Sequence, residues 1–208
     1  AEKCVVEFDK YIRCPHEFWK KIFHDLSDEA KILYMLTLIF PMPIEMQYLE
    51  KSYNDEMKAR TNTPEWKNFS DAVIELEKTV IRTDRYKRGE EGLLTITYQN
   101  PSARDFLIAL VKENFEKYHT ILIRNCQYYS QYVEYLKVLD ESKASEEIYG
   151  EIYQSAVNKI NSDSILFYDK YKMILRYHQE IHKLSERYET EQNYRDIGFG
   201  RIFQQIER

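Results

Sequence analysis

The sequence predicts a mainly α-helical protein that contains a single β-hairpin. Glycine and proline are scarce, with five of each among 208 residues, so few positions are suited to turns and loops. Apolar residues recur at helical spacing along most of the chain and alternate like those of strands in one stretch, residues 79–98. Hydrophobic residues make up 43% of the chain, which is enough to fill a sizeable core.

Charge balance, cysteine content and the length of apolar runs limit the classes of protein to which the chain can belong. The chain has 30 Lys and Arg against 35 Asp and Glu, so no positive excess indicates a nucleic-acid-binding protein. Three cysteines without close pairing (Cys4, Cys14 and Cys126) favour reduced thiols and a cytoplasmic location. No apolar run approaches the ~20 residues of a membrane span, and residues 1–10 lack a signal-peptide core. The chain also begins without methionine, as a segment of a longer polypeptide would.

The first predicted helix lies near residues 18–26. Its apolar side chains recur at helical spacing: Phe18, Trp19, Ile22, Phe23 and Leu26. Ser27 is predicted to cap the next helix, whose first turn carries two acids that complement the helix dipole. The run Ile32–Phe40 is apolar almost all round, so we expect this second helix to be central and buried.

A short helix and a third longer one are predicted to follow. Pro41 and Pro43 end the second helix. The apolar residues of the short helix are Ile44, Met46, Leu49 and Tyr53. Thr63 and Pro64 have the residue types of an N-cap and a first helical position, which predicts a third helix that ends near Lys78.

The spacing changes to alternation after the third helix. Residues 79–85 are rich in β-branched side chains, and residues 86–92 are polar with two glycines. The alternating apolar residues that follow are Leu94, Ile96 and Tyr98. This pattern predicts a β-hairpin. Asn100 and Pro101 form a second capping pair, which predicts that a further helix begins there.

The remaining sequence is helical in pattern from about Lys117. Candidate helices lie near 118–139, 143–160 and 164–190, and residues 193–208 form either a short docked segment or a frayed end. Twelve of the 18 tyrosines lie from Tyr118 onward, and we expect antiparallel helical hairpins to bury most of them as core.

Three helices, a two-stranded hairpin and another helix follow one another in the order of a winged helix. The sequence therefore predicts three parts. These are an N-terminal helical segment (1–26), a winged-helix domain (27–116) and a Tyr-rich helical domain (117–208) that forms an α-helical bundle or the start of a helical repeat.

Three stretches of this region resemble a known family. They are LSDEAKILYMLTLIF (Leu26–Phe40), FSDAVIELEKTVIR (Phe69–Arg82) and ITYQNPSARDFLIALV (Ile96–Val111). They are similar to the winged helix that follows the ATPase core of STAND-type signalling NTPases, in particular the bacterial novel STAND group, some of whose members are associated with defence against phage. The resemblance covers about Phe18–Glu116.

The resemblance implies regulation rather than catalysis. In the family, the winged helix holds an ATP-binding core shut and releases it for oligomerisation when a sensor region detects its target. The junction Asn100–Leu107 carries the strongest resemblance. The nucleotide-proximal or domain-interface candidates are Gln99, Asn100, Pro101, Ser102 and Asp105. The family often has a histidine before the Asn-Pro pair, where this chain has Gln99.

The catalytic parts of such an ATPase are not in this sequence. The chain lacks a G-x-x-x-x-G-K-[ST] motif, so ATP and Mg are implied only for a core N-terminal to Ala1, and no cofactor is expected here. The helices after Lys117 would then begin a sensor or effector-linking region. The expected partners are proteins: the ATPase core of the same polypeptide, an oligomer or a sensed ligand.

A DNA-binding winged-helix regulator is the second hypothesis. The helix 64–78 would enter the major groove, with the hairpin as the wing. Acids outnumber bases on this helix, with Glu65, Asp71, Glu75 and Glu77 against Lys67 and Lys78. The hairpin is more basic, and its candidates for a phosphate contact are Arg82, Arg85, Lys87 and Arg88.

A helical adaptor is the third hypothesis, in which the tyrosines of the C-terminal half form the functional surface. A metal site is weakly indicated by His178 and His182, which lie four residues apart. Glu180 between them faces away on a helix, and the sequence has no evident third ligand. We therefore predict no metal site and no catalytic residues, because the five histidines form no recognisable catalytic pattern.

Overall fold

The computed structural model describes residues 15–60, 68–88 and 91–142, together with Glu151 and Ser155. The described residues form seven α-helices and a three-stranded antiparallel sheet, which confirms the mainly helical class. The chain divides into two units, Ala1–Ala144 and Ser145–Arg208, and the predicted boundary at residue 117 falls inside the first unit.

The first two helices lie close to where the sequence pattern places them. Helix α1 is Pro15–Asp25, and α2 is Asp28–Leu36, extended by a 3₁₀ turn at Thr37–Ile39. Ser27 caps α2 as predicted, since its Oγ accepts the Ala30 amide at 3.2 Å. The 3₁₀ turn and the second half of α2 are buried, which confirms that this helix is central.

The next strand is absent from the sequence prediction. Ile44–Glu45 forms β1, whereas the pattern placed Ile44 at the start of a helix. Two residues are too few for the alternation of a strand to be visible in the sequence. This strand forms because its backbone pairs with that of another strand. Helix α3 then runs Met46–Arg60, beyond the Tyr53 that ends the predicted apolar stripe.

Helix α4, Phe69–Glu77, begins later than predicted. Its N-cap is Asn68, whose backbone is extended (φ -66°, ψ 160°) and whose Oδ1 accepts the Asp71 amide at 2.8 Å. A continuous helix over 64–78 is therefore wrong, because Asn68 is not helical. Thr63 and Pro64 lie outside the described residues.

The predicted β-hairpin is confirmed. Strands β2 (Ile81–Arg88) and β3 (Glu91–Tyr98) pair antiparallel, from Ile81 opposite Tyr98 to Arg88 opposite Glu91. Strand β1 pairs with the other edge of β3, so the order across the sheet is β1-β3-β2. The side chains of Ile81 and Ile96 lie on one face of the sheet and are fully buried.

The last described helices are α5 (Pro101–Glu113), α6 (Phe115–Asn125) and α7 (Tyr129–Ser142). The single helix predicted over 118–139 is wrong, because the backbone leaves the helical region at Cys126 (φ -69°, ψ 101°). The chain has no glycine or proline between Pro101 and Gly150, so local sequence gives no signal for this break. The predicted helix near 143–160 is described only at Glu151 and Ser155, and those of 164–190 and the segment 193–208 lie outside the described residues.

Helix α7 belongs to the core of the first unit. It packs against the 3₁₀ turn and α5. Tyr132, Tyr135, Val138 and Leu139 are each 2% exposed or less. The prediction that tyrosines of this half form core is thus confirmed for Tyr132 and Tyr135; those beyond Ser142 lie outside the described residues.

Candidate functional site

Gln99 joins the end of α4 to the start of the hairpin. Its Nε2 donates to the carbonyl oxygens of Glu77 and Ile81, at 2.7 Å each. Its backbone amide donates to Val80 at 2.9 Å. Both side-chain hydrogens are thereby used to hold the α4–β2 turn. Although the residue is exposed, its contacts are those of a residue that positions the backbone.

Asn100, Pro101 and Ser102 form the start of α5, as the capping pattern predicts. The Asn100 Oδ1 accepts the Ser102 amide at 3.0 Å and the Ser102 Oγ at 2.9 Å. Pro101 stands at the first helical turn, where its missing N–H costs nothing. The indole of Trp19 on α1 donates to the Ser102 Oγ at 2.8 Å, so Ser102 also contacts a distant helix.

Asp105 lies on the solvent side of α5. Pro101 and Asp105 are exposed four residues apart, whereas Ala103 and Phe106 are buried. The structure therefore brings Asn100, Pro101 and Asp105 to the surface at one end of α5. We call these three residues the junction surface. Ser102, which contacts Trp19, is only half-exposed and is not counted in it.

The interior side of α5 is tied to the central helix. The hydroxyl of Tyr34 on α2 donates to the Ala103 carbonyl at 2.8 Å, and this bond is buried. The hydroxyls of Tyr98 and Thr37 share a bond of 2.6 Å nearby. Burial raises the pKa of both tyrosines well above the ordinary value. These bonds fix the position of the junction surface relative to α2 and the hairpin.

Of the four candidate cations of the hairpin, the structure describes the side chains of Arg82 and Arg85. Arg82 is paired with Asp84 at 2.9 Å and donates to the Thr97 hydroxyl at 3.2 Å. Arg85 is exposed, and its methylene groups lie across Gly92, where an added Cβ would approach them within 3.0 Å. Lys87 and Arg88 lie in β2, but their side chains are outside the described residues.

The outer face of α4 carries little charge. Its exposed residues are Ser70, Asp71 and Ile74, followed by Lys78 at the C-cap. The Ile74 side chain is 57% exposed. Glu75 does not face solvent fully, since its carboxylate accepts the amide and the hydroxyl of Ser27 at 2.7 and 2.8 Å. Glu77 accepts from Thr83. The face that would enter a major groove thus offers one cation and one anion.

A buried carboxylate network links α3 to α6, and the sequence analysis missed it. The Glu56 side chain is fully buried. It accepts from Arg60 at 2.6 Å, from Arg124 at 2.5 and 3.0 Å, and from Asn125 at 2.6 Å. We call these four residues the Glu56 network. Glu56 and Arg60 lie four residues apart, a spacing that brings two side chains together on a helix. The contact between Glu56 and Arg124, which is 68 residues away, has no signal in the local sequence.

The network keeps Glu56 ionised. Burial alone would raise the pKa of this carboxyl, but hydrogen bonds from Arg124, Arg60 and Asn125 outweigh burial, and the net pKa lies below the ordinary value of 4.5. A buried charge is tolerated because each oxygen has two donors: Oε1 accepts from Arg60 and Arg124, and Oε2 accepts from Arg124 and Asn125.

The same side of α3 holds the α6–α7 corner at further points. Asp55 accepts from the Gln127 side chain at 3.1 Å. Tyr48 packs edge-on against Tyr128 at 5.5 Å, and Lys51 lies over the Tyr128 ring. Side chains at 48, 51, 55 and 56 share one face of a helix. The break between α6 and α7 is therefore stabilised by tertiary contacts with α3.

Helix α7 also begins with its own cap. The Gln131 Oε1 accepts the amides of Gln127 and Tyr128 at 2.7 and 3.0 Å. A buried pair joins the two helices, since His119 on α6 and the Tyr135 hydroxyl on α7 are hydrogen-bonded. The His119 ring is stacked between Phe115 and Tyr135. Because both members are buried and used in packing, this pair is part of the core.

Within 15–60, 68–88 and 91–142, no group of three His, Cys, Asp or Glu side chains could hold a metal ion. His178 and His182 lie outside this part of the chain. None of the helices described is both long and apolar enough to cross a membrane.

Comparisons with protein-family models, with curated proteins and with solved structures give no match to this chain.

Proposed function

We propose that the chain is a regulatory winged helix with a helical extension, belonging to a STAND-like signalling NTPase, and that it acts by contact with other protein surfaces. The observation that carries this proposal is the arrangement of elements from α2 to α5. Helix, short strand, two helices and a hairpin follow one another, and β1 pairs with β3 on the side opposite β2. This arrangement supports a winged helix, and the Asn100 cap that leads from β3 into α5 supports the family resemblance.

The junction surface is the proposed contact with an ATPase core. Asn100, Pro101 and Asp105 are exposed, and the bonds from Gln99 and Tyr34 hold the surrounding backbone in place. A rigid, exposed surface with one acid suits contact with a protein that must be held and released. Gln99 is proposed as a positioning residue and not as a nucleotide contact, because both of its side-chain hydrogens are already bonded.

The charge distribution favours protein over DNA as the partner. DNA affinity depends on cations that neutralise phosphates, and the exposed face of α4 offers only Lys78. Arg82 is already paired with Asp84. A titration of the chain with duplex DNA at two salt concentrations distinguishes the protein-contact proposal from the DNA-binding alternative. We expect no salt-dependent binding, whereas affinity that falls steeply with salt would favour the DNA-binding alternative.

The helical-adaptor hypothesis requires tyrosines of the C-terminal half to face solvent. Tyr118, Tyr132 and Tyr135 are buried in the core of the first unit, so they are not available as a platform. Tyr48 is exposed by 41%, but it packs against Tyr128.

The proposal is tested first by the reading frame that encodes the chain. We expect a G-x-x-x-x-G-K-[ST] motif, after a predicted strand and before a helix, N-terminal to Ala1. A complete reading frame that encodes no such ATPase core would contradict the proposal in this form.

A further inference from the structure

Helix α1 is attached to the rest of the unit by few buried side chains. Trp19 is the one α1 residue that is buried, at 3% exposure. The other large apolar residues of the helix, Phe18, Ile22 and Phe23, remain half-buried. Helices that bury so little apolar area open at lower free energy than the core to which they are attached.

The contacts of α1 fall on two neighbouring helices. Phe23 lies beside Phe106 of α5 and Tyr34 of α2, with ring centroids at 5.9 and 6.2 Å. His16 lies beside Phe106 at 5.1 Å, near the other end of α1. Trp19 between them donates to Ser102. All of these contacts can be lost together if α1 moves as one body.

The start of α2 is held independently of α1. The Glu75 carboxylate binds both the amide and the hydroxyl of Ser27. Ser27 therefore stays in place if α1 moves, and Asp25 and Leu26 are the residues between α1 and this fixed point. Movement about them keeps both bonds between Ser27 and Glu75, and it breaks the ring contact between Phe23 and Tyr34 of α2.

We propose that α1 is a detachable strap. It lifts from α5 and α2 about Leu26 while the rest of the unit stays folded, and its release uncovers Ser102 beside the junction surface. In the proposed function, α1 lies between the ATPase core and the winged helix, so the strap would couple movement of the core to the junction. The use of the strap in signalling depends on that function, but the opening itself does not.

Native-state hydrogen exchange of the full chain tests the strap. We expect amides of α1 to exchange about 100-fold faster than those in the middle of α2, because α1 opens without global unfolding. Trp19→Ala should speed exchange in α1 by a further factor of about ten, since it removes the one buried side chain of the helix. It should leave exchange in α2 and α7 unchanged.

Two matched variants make the result specific. Trp19→Phe keeps an aromatic ring but loses the bond to Ser102, so it should speed exchange in α1 less than Trp19→Ala does. Lys20→Gln alters an exposed residue in the middle of the same helix and should have no effect. In a Trp66→Phe background Trp19 is the single indole, and acrylamide quenching of its fluorescence reports the opening directly.

One pattern of hydrogen-exchange rates would contradict the proposal that α1 is a detachable strap. If α1 and α2 exchange at the same rate, and Trp19→Ala speeds both equally, α1 is part of one cooperative unit. If Trp19→Ala does not fold, the same comparison is made with Trp19→Phe, whose effect should be confined to α1. Either result leaves the proposed winged-helix function unchanged, since that function is tested by the reading frame and by partner binding.

Discussion

The two helical segments that flank the core of α2 to α5 are attached in different ways. Among the described residues, helix α1 contributes one buried side chain, Trp19, and its hydrogen bond to Ser102. Its other described contacts are made by half-buried side chains: ring contacts with Phe106 and Tyr34, and a contact of 4.0 Å between His16 and Glu113. Helix α7 contributes four side chains that are nearly inaccessible to solvent. Helix α6 and the corner before α7 are also bound to α3, through the Glu56 network and the contacts of Asp55 and Tyr48. The difference indicates that α6 and α7 are structural parts of the unit, and it is the basis of the proposal that α1 detaches from it.

The largest expected effect concerns α7. Tyr135→Ala removes a fully buried ring and its bond to His119, and should lower the free energy of unfolding by about 3–5 kcal/mol. Urea unfolding followed by circular dichroism measures this. The control Tyr135→Phe keeps the ring and should cost about 1 kcal/mol. A Tyr135→Ala variant with an unchanged global midpoint would mean that α7 is no more integral than α1.

The Glu56 network comes next. Glu56→Ala leaves Arg124 and Asn125 without their buried acceptor, so the free energy of unfolding should fall by about 2–4 kcal/mol. The matched control is Glu50→Ala, an exposed acid of the same helix, which should stay within about 0.5 kcal/mol of wild type. Equal effects of the two variants would contradict a specific role for the network.

Acid should weaken the same network. The pKa of Glu56 is lower in the folded chain than the ordinary value of 4.5, so the unfolded chain binds this proton first as the pH falls. The stability that Glu56 contributes is therefore complete above pH 4.5 and is lost as the pH falls through the folded pKa. We expect the difference in urea midpoint between wild type and Glu56→Gln to shrink below pH 4.5. A constant difference from pH 7 to pH 3 would contradict this assignment.

The smallest effect concerns the cap of α5. Asn100→Ala removes the acceptor for the Ser102 amide and hydroxyl, and should cost about 1 kcal/mol. Asn100→Asp keeps the acceptor and should cost less. Thermal unfolding of the three proteins gives the order. If Asn100→Ala equals wild type, the cap does not stabilise the junction.

The sequence predicted those parts of the fold that depend on local pattern. Ser27 and Asn100 cap helices where their residue types indicate, and the alternation of Leu94, Ile96 and Tyr98 marks β3 correctly. The sequence did not predict the features that depend on contacts between residues far apart in the chain. Strand β1 exists because β3 pairs with it, and the break at Cys126 exists because α3 holds the corner that follows.

The capping pattern and the family resemblance led to residues 99–105 as the candidate site, and that function stays a prediction. The structure describes all of the named residues, and their contacts could not have been predicted. Nothing local indicated that Gln99 binds the carbonyl oxygens of Glu77 and Ile81, or that Trp19 reaches Ser102 across 83 residues. Such contacts depend on the packing of whole helices, which spacing along the chain does not specify.

The most direct test of the proposed regulatory function is the rate of nucleotide release from a polypeptide that also carries the proposed ATPase core. Asp105→Arg reverses the charge of the junction surface and should speed ADP release at least about tenfold, because it weakens the proposed contact between this surface and the core. Lys112→Glu reverses a charge two turns farther along α5 and should leave the rate unchanged. Release at the wild-type rate from both variants would contradict the assignment of the junction surface as the regulatory contact.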